Sequence, residues 1–337
     1  MSSNILADAL VGLLPVLSFL AALLYLDSYK LVKLRAIITI VACGAIVAGI
    51  SYLINGYALD LVRIDMVHFS RYVAPFTEEL LKGLVIVALI RTHRIGFLVD
   101  AAIFGFAVGT GFATVENLYF LHLVPDAGMG TWIVRGLGTA IMHGGATAIF
   151  AVMGLGLLER TPGAKLRALL PGYGVAVVLH SGFNHLLTSP TFAMLAILVV
   201  LPPLLYLVFQ RSEKAVGDWL GHGFDADTEM LELINSGRLS DSPVGEYLHT
   251  LKSKFIGPVV ADLLCYLRLY TELALRAKGI LIMRESGFDV PVDEETRAKF
   301  TEMRYLESSI GKTGLLAIQP MCHMNHRELW QLYMLGK

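Results

Sequence analysis

Long uninterrupted runs of apolar residues are the feature that most constrains how this chain can fold. A helix that crosses the hydrocarbon core of a bilayer, about 30 Å thick, needs about 20 apolar residues in succession. The charged residues make up only 16% of the chain, well below the quarter or so found in soluble domains. Seven apolar runs of sufficient length lie near 5–26, 36–58, 72–91, 97–121, 131–158, 167–188 and 191–210. The sequence therefore predicts an all-α, polytopic membrane helix bundle of about seven spans.

The basic residues between the runs predict the orientation of the bundle. Most of them follow the first, third, fifth and seventh runs, whereas segments 122–130 and 189–190 carry no Lys or Arg. The residues are Lys30, Lys33, Arg35, Arg91, Arg94, Arg160, Lys165, Arg167, Arg211 and Lys214. Only the segment with Arg63 and Arg71, which also holds Asp60 and Asp65, is mixed. Loops rich in Lys and Arg stay in the cytoplasm. We therefore expect the N-terminus outside and the C-terminus in the cytoplasm. The first run lacks a preceding basic residue, so we expect a span and not a cleaved signal peptide.

The composition changes sharply after the seventh run. Residues 1–211 form the predicted membrane bundle, and residues 212–337 hold most of the charge, with apolar residues at helical spacing. This pattern predicts a small helical cytoplasmic domain that binds a partner, self-associates, or packs beneath the bundle. The net charge of −1 gives no electrostatic case for binding nucleic acid. The three cysteines are scattered and do not indicate a disulfide framework.

Ionisable and amide side chains that are candidates for a functional site lie in four of the seven runs. An ionisable residue at membrane depth costs about 2.5–3.5 kcal/mol on insertion scales, so it faces the bundle interior or a wet cavity. The residues are Glu78, Glu79 and Lys82 in the third run, Glu116 and Asn117 in the fourth, His143 in the fifth, and His180 and Asn184 in the sixth. One reading is a set of structural ion pairs that lock the helices together.

The depth of these residues favours a single site instead. At 1.5 Å per helical residue, and with the orientation above, six of these residues fall within about 6–18 Å of the outer surface. They are Glu78, Glu79, Glu116, His143, His180 and Asn184. Independent structural pairs have no reason to share one level. The sequence thus predicts a polar cavity in the outer half of the bundle.

Carboxylates, imidazoles and an amide together are typical of hydrolysis. A Glu can take a proton from water, a His can relay it, and Asn with His can hold an oxyanion. Ser181 points away from His180 on the helix, and Cys43 has no paired base in the sequence. We therefore expect water to be the nucleophile.

Four short motifs resemble those of PrsW-type intramembrane proteases, which are relatives of the CAAX prenyl endopeptidases and the bacteriocin-processing (CPBP/Abi) proteins. They are "EELLK" (Glu78, Glu79, Lys82), "FATVEN" (Phe112, Glu116, Asn117), His143 and "HSGFN" (His180, Asn184). The resemblance covers about residues 70–190 and implies cleavage of a single-span membrane protein, such as an anti-sigma factor, in a bacterial inner membrane. It implies that Glu78 or Glu79 activates water and that His180 and Asn184 stabilise the oxyanion.

The motifs depart from the CAAX-type pattern at two positions. CAAX-type proteins carry a histidine where this chain has Glu116, and an arginine at a different spacing where it has Lys82. Both departures fit the PrsW branch and leave His143 as the candidate partner of the catalytic glutamate. Lys82, Phe112 and Asn117 are expected to support the site.

The metal requirement stays open at this point. We expect a glutamate protease without a cofactor, since no HExxH pair is present. If zinc is bound, its candidate ligands are Glu78, Glu79, Glu116, His143 and His180.

Two other functions use the same residue types. Buried Glu and His serve as proton relays in ion-coupled transporters, although the chain has no evident repeat between its halves. A catalytically silent membrane scaffold could also keep this fold.

Overall fold

The computed structural model describes residues 2–160, 166–185, 189–288, 290–322 and 326–335. Lys165 and the end of the sixth predicted run therefore lie outside the described residues. Helices make up 86% of the structure, and the described residues include no strand. The predicted all-α fold class is confirmed.

The chain divides into two compact units, Met1–Glu213 and Lys214–Lys337. The α-helices that begin in the first unit are α1 (Ser2–Tyr25), α2 (Leu34–Val62), α3 (Met66–Tyr72), α4 (Ala74–Arg91), α5 (Leu98–Leu123), α6 (Met129–Val134), α7 (Ala140–Arg160), α8 (Leu170–His185) and α9 (Pro190–Asn235). The boundary between the units falls within the sequence of α9, whose 46 residues make it the longest described helix.

Five helical stretches are long and apolar enough to cross a membrane. They are Ile5–Tyr25, Leu34–Val62, Leu98–Leu123, Met129–Arg160 and Pro190–Asn235. The third and sixth predicted runs form α4 and α8. Helix α4 carries four charged residues, and α8 has 16 described residues, so neither qualifies on length and apolarity alone. The chain is thus a multi-pass integral membrane protein, and the count of seven spans stays a prediction.

Helix α5 is the central helix of the first unit. In its apolar stretch 83% of the residues are buried, against 22% for α1 and for α9. It packs against α7 and α2, and also contacts α1 and α4. The predicted site residues on α4, α5 and α7 are therefore carried by helices that touch one another.

Two glycines allow this close packing around α5. A methyl group at Gly109 would overlap the backbone carbonyl of His143 on α7, and one at Gly111 would overlap the carbonyl of Val41 on α2. Small residues at such contacts let membrane helices approach until their backbones touch. Gly109 thus brings the backbone of α7, at the level of His143, against α5, and Gly111 does the same for α2.

A π-helical turn joins α6 to α7. It spans Arg135–Thr139, so the stretch Met129–Arg160 is helical throughout. A π-turn inserts an extra residue into a helix and changes the faces that its two ends present. Arg135 at its start and His143 beyond its end thereby have a rotational relationship that a regular helix would not give.

The second unit is also helical. Besides the end of α9, it contains α10 (Pro243–Leu251), α11 (Gly257–Glu285), α12 (Glu294–Ile318) and α13 (His326–Leu335). Helix α11 packs against α12 and α13, and its buried face includes Leu263, Leu267 and Leu281. Within this unit, buried Lys278 pairs with Asp227 at 2.6 Å.

Candidate active site

Glu79 lies at the centre of the polar cluster. Its Oε1 accepts from Lys82 Nζ at 2.5 Å, one helical turn along α4, and is 2.8 Å from His180 Nδ1 on α8. The side chains of Glu79 and Lys82 are 1% and 0% exposed. Because an ionised carboxylate only accepts, His180 carries a proton on Nδ1. In the neutral imidazole, this leaves Nε2 as an acceptor.

Glu78 is hydrogen-bonded to a different residue, Asn55. Asn55 on α2 donates to its Oε1 at 3.0 Å. Its Oε2 faces Nε2 of His180 at 3.8 Å, which is longer than a direct hydrogen bond. The two glutamates therefore lie on opposite nitrogens of one imidazole ring: Glu79 fixes the ring, and Glu78 presents an oxygen to its other nitrogen.

His143 connects Lys82 with Glu116. Its Nδ1 is 3.0 Å from Lys82 Nζ, and its Nε2 is 2.9 Å from Glu116 Oε2. The His143 and His180 rings pack edge to face with centroids 4.7 Å apart. Phe112 packs 5.0 Å from the His143 ring and lies 4.7 Å from the Lys82 ammonium group. Phe112 thus covers the buried cation with an aromatic face.

Seven of the predicted residues come together in this cluster. They are Glu78, Glu79, Lys82, Phe112, Glu116, His143 and His180. The distances make His180, and not His143, the imidazole closest to Glu78. The catalytic roles of all these residues stay predictions.

Asn184 is engaged at the edge of the cluster. Its Nδ2 donates to the carbonyl of Ser70 at 2.9 Å, and Ser181 donates to the carbonyl of Arg71 at 2.6 Å. Pro75 lacks the N–H that would bond the Arg71 carbonyl within a helix, so Ser181 satisfies it instead. Asn184 therefore ties α8 to the α3–α4 junction, and its predicted oxyanion role would require this bond to break.

Asn117 contacts the cluster indirectly, through Arg135. Its Nδ2 donates to the carbonyl of Gly12 on α1 at 2.8 Å, and its Oδ1 accepts from Arg135 Nε at 2.9 Å. Arg135 Nη2 lies 3.5 Å from Glu116 Oε1. Asn117 thus holds the arginine that accompanies Glu116, which agrees with a supporting role.

Two residues of this network were missed from the sequence. Asn55 contacts Glu78, and Arg135 contacts Glu116 while stacking 3.6 Å from the ring of Phe120. Each is a single polar residue in an otherwise apolar run, "LINGYAL" and "WIVRGLG". A polar residue in an apolar span carries the same insertion cost as the glutamates do, and this cost is the sequence signal that could have identified both residues.

Three of the cluster residues could hold a metal ion. One ligand atom each from Glu78, His143 and His180 lie within 4.8 Å of one another. Two imidazoles and a carboxylate are the donor set of many catalytic zinc sites. Glu79 would act as the outer carboxylate that orients His180. The residues present thus fit a divalent metal, with Glu79 and Glu116 outside the ligand group.

Buried acids, imidazoles and a lysine within a multi-pass helix bundle are compatible with an intramembrane hydrolase and also with an ion-coupled transporter. A family model described as "PrsW family intramembrane metalloprotease" matches residues 33–208, which is more than half of the chain. The chain therefore belongs to the PrsW family of intramembrane proteases, and all the predicted site residues lie within the match. No curated protein and no solved structure matched the chain.

Proposed function

We propose that this chain is an endopeptidase that hydrolyses a peptide bond of a single-span membrane protein, with Glu78 activating the water. The observation that carries the proposal is the pairing of Glu78 Oε2 with His180 Nε2 at 3.8 Å. Both atoms are hydrogen-bond acceptors, because Glu79 holds the His180 proton on the opposite nitrogen. Two acceptors at this separation can both accept from one water molecule.

The proton transfers follow from this arrangement. Glu78 takes a proton from the water as its oxygen attacks the scissile carbonyl, and later delivers a proton to the leaving amine. Glu79 stays ionised beside Lys82 and keeps the His180 ring in place. The resemblance to the family implies His180 and Asn184 as the donors to the oxyanion; His180 can donate from Nε2 only while the proton taken up by Glu78 is shared with that nitrogen. Glu78 is therefore the reactive acid, and Glu79 orients the ring.

A divalent metal is compatible with the same residues. Glu78, His143 and His180 would hold it, and Glu78 would then be a metal ligand in place of the base. When bound, it would polarise the scissile carbonyl and lower the pKa of the attacking water. The family description favours a metal, whereas glutamate-based activation, as in the proposed CPBP/Abi relatives, needs only the side chains already in contact.

The proposed location follows from the basic loops. With the N-terminus outside, the second unit lies in the cytoplasm and the cluster lies in the outer half of a bacterial inner membrane. The substrate would be a single-span protein such as an anti-sigma factor. The second unit would bind a cytoplasmic partner or a second copy of the chain.

Cleavage in a defined membrane tests the proposal. The wild-type protein and Glu78→Gln are each reconstituted in liposomes with a panel of single-span proteins, and the fragments are measured by mass spectrometry. We expect cleavage by the wild type and loss of it in Glu78→Gln. Exposed Glu302 gives the matched control, since Glu302→Gln makes the same chemical change away from the site. Equal cleavage by wild type and Glu78→Gln would contradict the proposed role of Glu78. Repeating the wild-type assay with a metal chelator shows whether cleavage requires a metal.

A further inference from the structure

Both ring nitrogens of His143 are occupied by protein groups. Lys82 Nζ lies 3.0 Å from Nδ1, and Glu116 Oε2 lies 2.9 Å from Nε2. A lysine ammonium group can only donate, and a carboxylate can only accept. Both contacts therefore require the same neutral tautomer, with the proton on Nε2 and the lone pair on Nδ1 directed at Lys82.

A metal ion binds a histidine through a nitrogen lone pair. His180 has such a lone pair on Nε2, on the side where Glu78 Oε2 lies. The lone pair of His143 is covered by the Lys82 ammonium group instead. Glu78 and His180 therefore each have a lone pair available for a metal, whereas the lone pair of His143 already accepts a hydrogen bond from Lys82.

Lys82 cannot readily move away from this position. Its side chain is 0% exposed, and it is also held by Glu79 at 2.5 Å and by the face of Phe112 at 4.7 Å. Displacing a buried ammonium group from its carboxylate partner is costly, because neither charge then has a partner. A metal dication placed beside Lys82 would in addition be repelled by it.

We propose that Lys82 governs metal binding in this cluster: the Lys82–His143 hydrogen bond and a metal on His143 exclude each other, so removing the ammonium group increases the metal affinity. The inference rests on the proposed function only for the identity of the candidate ligands. The alternative route to His143 through Nε2 would displace Glu116 and move the ring proton to Nδ1, where it would face the Lys82 ammonium group, so the Lys82–His143 hydrogen bond opposes this route as well.

Zinc titration of the purified protein in detergent, against a competing chromophoric chelator, tests the proposal. The variants are Lys82→Met and the double variant Lys82→Met/Glu79→Gln, which leaves no unpaired charge at either position. Gln at position 79 can still accept from His180 Nδ1. It replaces the outer carboxylate by a weaker acceptor, which lowers metal affinity if it has any effect, so tighter binding by the double variant must come from position 82.

We expect the double variant to bind zinc at least about tenfold more tightly than the wild type, the lower end of the range seen for groups that act on metal ligands. Adding His143→Ala to the double variant should remove the gain. Lys278→Met is the matched control, since Lys278 is also buried and pairs with an acid and an aromatic ring, Asp227 and Trp219. It should leave the zinc affinity unchanged.

Each outcome decides the proposal. Zinc binding by the double variant alone, or tighter binding by it than by the wild type, supports the role of Lys82. Equal or weaker binding by the double variant, or no zinc binding by any of the proteins, overturns it. Failure of the proposed protease function would appear separately, as equal substrate processing by wild type and Glu78→Gln.

Discussion

Asn55 donates a hydrogen bond of 3.0 Å to Oε1 of Glu78 across the contact between α2 and α4. The hydroxyl group of Thr77 contacts the other end of the same amide, at Oδ1. Because a carboxylate oxygen only accepts, the amide must present Nδ2 to Glu78. This bond determines which oxygen of Glu78 is left facing His180.

Removing this amide should weaken catalysis without unfolding the protein. We expect Asn55→Leu, which is similar in size, to lower the cleavage rate by about 10- to 100-fold, the usual cost of losing an orienting partner. The loss should appear mainly in kcat, because Asn55 contacts Glu78 and not the substrate. Ser51→Ala is the control: Ser51 lies 3.4 Å from Asn55 Nδ2 on the same helix. Ser51 Oγ accepts from the same Asn55 Nδ2, and Ser51→Ala leaves the bond to Glu78 in place, so an equal loss in this variant would mean that the bond between Asn55 and Glu78 does not set the rate.

The two adjacent glutamates should respond differently to amidation. Glu78→Gln should lower kcat by more than about 100-fold, the scale of removing a general base, with little change in melting temperature. Glu79→Gln should also reduce activity, and in addition destabilise the protein by about 3 kcal/mol, since it leaves the buried Lys82 cation without its counter-charge. Melting in detergent, together with cleavage rates, separates the two effects. Full activity in both variants would contradict the assignment to proteolysis.

Much of the cluster could be predicted because charge inside an apolar run is conspicuous. Glu78, Glu79, Glu116, His143 and His180 stand out for their insertion cost, and helix arithmetic predicts one depth for them. Their meeting required only that the four helices pack together. The all-α class followed from the same runs.

The choice of partners could not be predicted in the same way. Whether Lys82 pairs with Glu78 or Glu79 depends on the rotation of α4 within the bundle. The bond between Asn184 and the Ser70 carbonyl depends on a helix break near Pro75 that periodicity does not show. Asn55 looked like any isolated polar residue in a span, where such residues often only join helices.

Because α5 packs closely against α7, we expect a glycine-to-alanine substitution to destabilise the protein at Gly109 but not at Gly49. In Gly109→Ala the new methyl group would overlap the His143 carbonyl, so we expect a loss of roughly 1–3 kcal/mol in unfolding free energy, typical of overpacking. Gly49→Ala is the control, because nothing lies within 4 Å of a methyl group there. It should be neutral or stabilising by up to about 1 kcal/mol. Unfolding in mixed detergents measures both, and equal effects would contradict the contact.

The cysteines allow a test of the proposed orientation. Cys265 is exposed, whereas burial, with a smaller contribution from the charge of Asp227, raises the pKa of Cys322 to about 12. Since the thiolate is the reactive form, a charged maleimide at neutral pH should label Cys265 and spare Cys322. In intact cells we expect no labelling until the membrane is permeabilised. Cys265→Ser is the control for labelling. As an independent test of the orientation, a fluorescent protein fused after residue 337 should fold and fluoresce in the cytoplasm. Labelling of Cys265 in intact cells would contradict the proposed orientation and place the second unit outside the cell.

The same orientation predicts where the substrate is cut. A substrate helix in lipid has all its backbone groups hydrogen-bonded, so it must unwind before a carbonyl can be attacked. Unwinding is least costly near a helix end, and the proposed orientation puts Glu78 and His180 in the outer half of the bundle. We therefore expect cleavage near the outer end of the substrate's membrane segment, or just beyond it.

Substitutions in the substrate extend this test. Gly or Pro introduced near the cut should speed cleavage, because both weaken a helix, by about 1 and 3 kcal/mol relative to Ala. The same substitutions near the cytoplasmic end should have little effect, which makes them the matched control. Mass spectrometry of the two fragments gives the position of the cut. A cut in the cytoplasmic third of the segment would mean that Glu78 and His180 lie at the opposite depth, and that the basic loops do not mark the cytoplasmic side.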